Sequence, residues 1–300
     1  MSDIKETIQK EIAEVLETGL SQNKLAEQIG ISAATLINIK RGNWTDISEA
    51  MIMKLKAHFK IDDWQIYSTT NFRIINDLCD EAATNSKMIA VAGYSGAGKT
   101  TALRTYAKKK SEAYYILGTA IMTQKSFLVA LQRAMGVSEG VTIQEKTEQI
   151  IRRLNSGQNS LLIIDDAGKL SDNIMRLIQI IYDETEFSAG IVLAGTEYLE
   201  TYIAKNAQRD KRGFRELQRR ISYWQGMYRP TRKEIVTFCS DHDITDTNAI
   251  NYLCESADYG TLRNMITNAK MASTKQNRKV DRSLLNDLRV GSHHYRAMVH

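Results

Sequence analysis

The sequence predicts an α/β fold: a doubly wound, mostly parallel sheet, preceded by an all-α module and followed by a small helical region. Three observations predict it. Short apolar runs alternate with helical segments between residues 88 and 227, the pattern of a parallel sheet covered by helices on both faces. The apolar run Met88–Ala92 leads directly into Gly93-Tyr94-Ser95-Gly96-Ala97-Gly98-Lys99-Thr100. Residues 5–67, and the chain from residue 232 onward, carry helical patterning without strand alternation.

Composition bounds the answer. The chain has 300 residues, 43% hydrophobic and 25% charged, which suits two domains, or one large domain with an appendage, around a packed core. A single proline fits a mostly helical chain with short connections. The net charge of +5 is a mild basic excess that suits nucleic acid without demanding it. Cys79, Cys239 and Cys254 form no C-x-x-C pair and read as thiols in a reducing compartment. The histidines are scattered, with His293-His294 in a polar tail, so no histidine metal site is expected. No stretch reaches the roughly 18 consecutive apolar residues of a membrane span, and the polar N-terminal residues lack a signal-peptide core. A cytoplasmic protein with no membrane partner is expected.

The first element is a small helical module. Ile8, Ile12 and Val15 mark one apolar stripe, and residues 21–42 resemble the helix-turn-helix of phage repressor-like domains. Small Ala26 permits close helix approach, Gly30 makes the turn and Ile31 plugs the core. Ser32 caps a second helix whose Leu36 and Ile39 face inward. Ser32, Ala33, Thr35, Asn38 and Lys40, with Arg41 beyond, would lie outward or near a DNA groove. Such residues contact phosphates as readily as bases, and a hairpin that only packs or binds protein is the alternative. A further helix is expected at 47–58. The polar stretch Tyr67-Ser68-Thr69-Thr70-Asn71 reads as a linker, dividing the chain into 1–67, 68–229 and 230–300.

In the central segment, strands are expected at 88–92, 113–117, 160–165, 190–195 and 221–227. Helices are expected at 101–110, 124–135, 143–155, 173–185 and 197–204. Thr142-Ile143-Gln144-Glu145 is a capping box. Ligands bind such sheets at the carboxyl ends of the strands. The 93–100 segment has the G-x-x-x-x-G-K-T spacing of a phosphate-binding loop. Its glycines let backbone N–H groups, from Tyr94, Ser95, Gly96 and Ala97 to Thr101, close around phosphate oxygens. Lys99 reaches the β- and γ-phosphates, and the Thr100 hydroxyl binds Mg2+. The helix that follows adds its positive end.

Leu161-Leu162-Ile163-Ile164-Asp165-Asp166 is an apolar strand ending in acids. Asp165 would hold the metal, and Asp166 would polarise the water that attacks the γ-phosphate. Thr196, ending the next strand, would sense the γ-phosphate or the water, or serve only as a turn residue. Residues 209–220 are strongly basic. Arg219 or Arg220 at the rim of the sheet would compensate phosphoryl charge in a neighbouring subunit, with a solvated or DNA-contacting face as the alternative.

Thr231 and Glu234 box a helix start, and helices at 232–240, 247–256, 261–273 and 281–289 follow. Arg263 in a first turn opposes the helix dipole, and contact with nucleotide phosphates would explain it. Lys270, Lys275, Arg278, Lys279, Arg282 and Arg289 make this region basic.

In this order, the loop 93–100, the Asp165-Asp166 strand, Ala194-Gly195-Thr196, Arg220 and Gly260-Thr261-Leu262-Arg263 resemble AAA+ P-loop ATPases. With the N-terminal module and the chain length, the resemblance narrows to the target-capture ATPases of the phage Mu transposition protein B type. It implies an ATP- and Mg2+-dependent ATPase that binds double-stranded DNA with little sequence preference. Such a protein assembles as a homo-oligomer, a helical filament or ring on DNA, and stimulates a partner transposase. Gly93, Gly98, Lys99 and Thr100 take the loop roles, Asp165 the metal role, Arg220 the trans-acting arginine and Arg263 the lid arginine. Two positions depart from the pattern. Asp166 stands where Glu is usual, about 1.5 Å shorter in reach, so slow hydrolysis is expected. Thr196 replaces Asn. A helicase loader in replication, or a transcription regulator with an ATPase switch, are the competing expectations.

Overall fold

The structure is a computed structural model and describes residues 2–17, 19–59, 61, 64–137, 140–255 and 258–288. Arg289, His293-His294 and the rest of the basic tail lie outside the described residues. The chain divides into two compact units, Met1–Tyr67 and Ser68–His300.

The first unit contains helices α1 (Ser2–Glu17), α2 (Gln22–Ile29), α3 (Ala33–Lys40) and α4 (Glu49–Phe59). Its core is built from Ile8, Ile12, Leu25, Ala26, Ile29, Leu36, Ile39 and Leu55, all buried. Gly30 closes α2 at φ +75° and returns its N–H to the carbonyls of Ala26 and Glu27, a left-handed position that glycine fills without strain. Ser32 starts α3 by accepting the Thr35 N–H at 3.0 Å, and Gln9 Nε2 donates to the Ile39 carbonyl at 2.9 Å, tying α1 to the end of α3. Ser32, Lys40 and Arg41 are exposed, as expected, but Thr35 and Asn38 are half-buried. The Ser32 and Thr35 hydroxyls also bond to each other at 2.7 Å.

The second unit is α/β, as the sequence predicts. It opens with α5 (Thr70–Thr84) and then alternates β1 (Met88–Ala92), α6 (Lys99–Lys109), β2 (Ala113–Leu117), α7 (Gln124–Met135), α8 (Ile143–Ser156), β3 (Ser160–Asp165), α9 (Asp172–Asp183), β4 (Ala189–Gly195), α10 (Glu197–Gln208), α11 (Phe214–Arg220) and β5 (Ile221–Gly226). The five strands pair in the order β2-β3-β4-β1-β5, all parallel. β1, β3 and β4 are buried along their whole length, which is why they read as unbroken apolar runs rather than alternating ones. Met88, Ala90, Leu162 and Ile164 face a core shared with α7–α11. Ile89, Val91, Leu161 and Ile163 face a second core under α5 and α6. Each fully buried aliphatic side chain contributes about 1.5–3 kcal/mol, so the central strands anchor the unit.

Two segments differ from the expectation. Thr70 and Asn71 do not belong to a linker: Thr69 caps α5 by accepting the Phe72 N–H, and Asn71 is fully buried with three hydrogen bonds. The basic run 209–220, for which the sequence predicts no element, holds one: Gly213 at φ +85° turns the chain into α11, whose Phe214 and Leu217 enter the core. After β5 come α12 (Arg232–Asp241), α13 (Thr247–Leu253) and α14 (Tyr259–Gln276), then α15 over 282–288. These helices share a compact unit with the sheet rather than standing apart from it.

α5 lies close enough to the sheet that a Cβ on Gly190 of β4 would run into the Ala82 carbonyl and come within 2.9 Å of the Ala83 nitrogen. Backbone offers no rotamer to relieve this overlap. Gly190→Ala should therefore destabilise the second unit by about 1–3 kcal/mol, read as a lowered midpoint in thermal unfolding. An unchanged midpoint would mean that α5 is not held against β4.

Candidate functional site

Because all five strands are parallel, their carboxyl ends share one edge, and three groups of predicted residues meet there. The first is the loop between β1 and α6. Gly93 donates to the Gly195 carbonyl at 3.2 Å, and a Cβ there would sit 2.6 Å from Met227 Cγ. Gly96 and Gly98 adopt φ +84° and +85°, and Gly98 is the N-cap of α6. Ser95, Gly96, Gly98 and Thr101 are exposed, Tyr94 and Thr100 half-buried, and Ala97 buried. The Lys99 side chain folds back over the loop, donating to the carbonyls of Gly93 at 2.7 Å and Tyr94 at 3.0 Å. Burial lowers the Lys99 pKa, and the carboxylates of Asp165, Glu197 and Asp166 oppose that shift. A buried ammonium at a helix start, facing acids across an open loop, is built for a phosphate and a cation together.

The second group is the end of β3. Asp165 is fully buried. Its Oδ2 accepts from the Tyr115 hydroxyl at 2.8 Å and its Oδ1 from the Asp166 N–H at 2.9 Å. Asp166 takes a left-handed φ of +53°, which Asp tolerates better than most residues, and opens a 3-10 turn, Ala167–Lys169. Its Oδ2 is held by Lys169 Nζ at 2.6 Å. The predicted water-polarising acid is thus engaged in a local ion pair through one of its two oxygens. Among the described residues, no cluster of three or more His, Cys, Asp and Glu stands ready to hold a metal. The Thr100 hydroxyl and the Asp165 carboxylate fit Mg2+ all the same. This ion keeps several waters and takes one or two protein oxygens beside substrate phosphates.

The third group comes from the ends of β4 and α14. Thr196 is exposed and is the N-cap of α10, although its side chain makes no capping bond. α14 begins two residues before the expected 261, because Asp258 accepts the Thr261 N–H at 2.7 Å. Arg263 is therefore its fifth residue, beyond the first turn, and the dipole conflict expected there does not arise. The Gly260 N–H donates to the Gly96 carbonyl at 3.2 Å, so the start of α14 rests on the phosphate loop. Arg263 lies three residues from Gly260 and shares its face of the helix.

Arg220 does not join this edge. β1 and β5 pair from Met88 with Ile221, so Arg220 lies at the amino edge of the sheet, roughly 16 Å of strand from the loop. There its Nε pairs with Asp183 at 2.7 Å and its Nη1 with Glu186 at 3.6 Å. Arg219 is exposed and makes no ion pair among the described residues.

Several site residues were invisible in the linear pattern. Tyr115 is one. Asn71 is another: its Nδ2 donates to the Ala97 carbonyl at 3.1 Å and to the Tyr228 carbonyl at 2.8 Å, while its Oδ1 accepts the Tyr228 N–H at 2.9 Å. Glu234 joins three helix starts. It accepts from the Thr70 N–H at 2.6 Å, the Thr231 N–H at 2.7 Å and the Tyr259 hydroxyl at 3.0 Å. The capping box predicted the Thr231 bond but not the other two.

One family profile matches part of the chain. Residues 81–203 match the family profile described as an AAA domain. That span holds the loop 93–100, Asp165, Asp166 and Thr196, and stops before Arg219, Arg220 and Arg263. The fold is α/β, and the segment 81–203 is the part of the chain that is similar to an AAA domain. No curated protein matches the chain. Among solved structures, a DNA replication initiation factor aligns at 15% identity, over 70% of this chain and 63% of that one, with a TM-score of 0.46. NtrX from Brucella abortus aligns in complex with ATP at 14% identity, over 85% of this chain and 63% of that one, with a TM-score of 0.49. Its complex with ADP aligns at 15%, over 85% and 60%, with a TM-score of 0.48. The chain thus spans 60–63% of the length of these structures. Among the described residues, no helix is long and apolar enough to cross a membrane.

Burial acts to raise the Glu234 pKa, but the hydrogen bonds from Thr231, Thr70 and Tyr259 outweigh it and hold the carboxyl below its ordinary value. A depressed folded-state pKa stabilises the fold above the unfolded carboxyl pKa of about 4.3, and that contribution is lost as pH falls through the folded value. Glu234→Gln should therefore lower the melting temperature at neutral pH, with the gap to wild type closing as the pH is taken below about 4. A gap that is constant with pH would show that the charge of Glu234 carries none of the effect.

Proposed function

We propose that this chain is an ATPase whose nucleotide state controls its assembly on double-stranded DNA, as a target-capture partner of a transposase. The observation that carries the nucleotide reading is the convergence on one sheet edge of the Lys99 ammonium, the Asp165 and Asp166 carboxylates and the start of α14. ATP phosphates would take backbone N–H groups of the loop and of the first turn of α6, and Lys99 would leave the Gly93 and Tyr94 carbonyls for the β- and γ-phosphates. Mg2+, held by Thr100 and Asp165, would neutralise charge building between those phosphates. Asp166, released from Lys169, would accept a proton from the attacking water as its oxygen bonds to phosphorus and the bond to ADP breaks. Thr196 would orient that water, and Arg263 would bring positive charge from α14.

The position of Arg220 supports assembly. An arginine at the amino edge cannot serve its own loop, so any catalytic part for Arg220, or for exposed Arg219, is played in a neighbouring subunit. ATP then acts as the signal for oligomer formation, and hydrolysis as the release. Lys40 and Arg41 in the first unit, with Ser32 and Asn38 beside them, would supply phosphate contacts to DNA, together with the basic face of the C-terminal helices.

Electron microscopy of the full chain on plasmid DNA tests this reading. With ATP or a non-hydrolysable analogue, wild type should coat DNA in regular oligomers, and Lys99→Ala should not. Isolated binding at a few discrete sites would favour a transcription regulator instead. Coating that is identical without nucleotide would overturn the reading.

A further inference from the structure

Tyr115 and Arg104 form a structure around Asp165 that the nucleotide reading does not itself require. In β3, Leu161 and Ile163 face the core under α6, so Asp165, two residues further along the same face, points toward the phosphate-loop helix. Leu117 of β2 pairs with Asp165, and Tyr115 with Ile163, which puts the Tyr115 ring on that face, one diagonal step from the carboxylate. Its hydroxyl reaches Asp165 Oδ2 at 2.8 Å. Behind it, Arg104 Nε donates to the same hydroxyl oxygen at 3.1 Å, and the guanidinium lies over the ring, 5.3 Å from its centroid. Arg104 follows Thr100 by four residues on α6, so the two stand one above the other on one helix face. Arg104, Tyr115 and Asp165 thus form a hydrogen-bonded chain between α6, β2 and β3, and Thr100 lies on the same α6 face as Arg104.

Satisfying a buried carboxylate needs only some donor. This arrangement does more, because each Asp165 oxygen takes one fixed hydrogen bond, from Tyr115 and from the Asp166 N–H, which sets the rotation of the carboxylate plane. Partners of this kind, one step out from a ligand, set ligand orientation and metal affinity.

We propose that Tyr115, braced by Arg104, is a positioning residue that orients Asp165 for Mg2+, and so governs the metal dependence of nucleotide binding rather than nucleotide binding itself. The proposal rests on the ATP reading above. Metal and nucleotide effects are separable, because the hydrogen bonds of the Tyr115 hydroxyl go to Asp165 and Arg104 and not to the loop 93–100 that would hold ATP.

Calorimetric titration of the full-length chain with ATP, in EDTA and across a series of MgCl2 concentrations, tests it. Tyr115→Phe keeps the ring in its packing place. It should bind ATP in EDTA within about twofold of wild type, but need about tenfold more Mg2+ to reach its tightest binding. Arg104→Gln leaves the phenol in place and should shift the Mg2+ requirement in the same direction by less, so the test survives if one variant folds poorly. Asp165→Asn should remove most of the Mg2+ effect. Equal weakening in EDTA and in Mg2+, or an unchanged Mg2+ requirement in both variants, would overturn the positioning role. Absence of ATP binding by wild type would instead overturn the reading beneath it.

Discussion

The parallel pairing of β1 between β4 and β5 is the constraint on which the rest depends. Pairing of Met88–Ala92 with residues 191–195 of β4 on one side and with residues 221–226 of β5 on the other fixes β1 inside the sheet, paired on both edges. Its carboxyl end can then only open onto the edge where β3 ends in Asp165 and β4 in Gly195. The apolar runs exist to bury both faces of these strands, and the polar residues appear where the strands stop. The glycine-rich loop, the Asp165 carboxylate and the polar residue after β4 meet without any long-range search, because parallel strands of similar length finish together.

Hydrogen bonds then tie the helical parts to that edge. Asn71 joins α5 to Ala97 of the loop and to the backbone of Tyr228 after β5. Glu234 joins the starts of α5, α12 and α14, and the Gly260–Gly96 bond sets α14 on the loop itself. Tyr94 adds a bond of 2.5 Å from its hydroxyl to the Tyr228 carbonyl. A ligand that rearranges the loop must disturb these partners, so α14 and the segment after β5 are placed to register the state of the site.

What was legible in the sequence followed from local physics. β1, β2 and β3 were placed to the residue because each is built on a short apolar run flanked by glycine or polar residues, and α7 has Thr123 and Gly136 at its ends. α5 was hidden because its first residues are polar, and polarity near a domain boundary resembles a linker. Asn71 is buried only because its partner Tyr228 arrives from 157 residues away. α11 was masked by its own arginines, although Phe214 and Leu217 keep helical spacing. That the loop Gly93 to Thr100 joins β1 to α6 was legible because its glycines interrupt the pattern just after an apolar strand, and two of them take left-handed φ there. Tyr115 was not, since one aromatic in an edge strand looks like any other until the register sets it beside Asp165. Arg220 was read by its rim position, and its pairing with Asp183 and Glu186 depends on the end of α9, which no local pattern announces.

These features describe a site whose binding half is complete within one chain and whose acid, Asp166, is held by Lys169. Arg220, at the far edge of the sheet, is paired with Asp183 and Glu186 and does not join the edge that carries the site. The most direct measurement of the central claim is equilibrium binding of ATP with Mg2+ to wild type and to Lys99→Ala. The account predicts one ATP bound per wild-type chain, and an affinity about ten- to a hundredfold weaker in the variant, the value of one charge-assisted hydrogen-bonding group. Equal affinity in both proteins, or no binding to wild type, would contradict it.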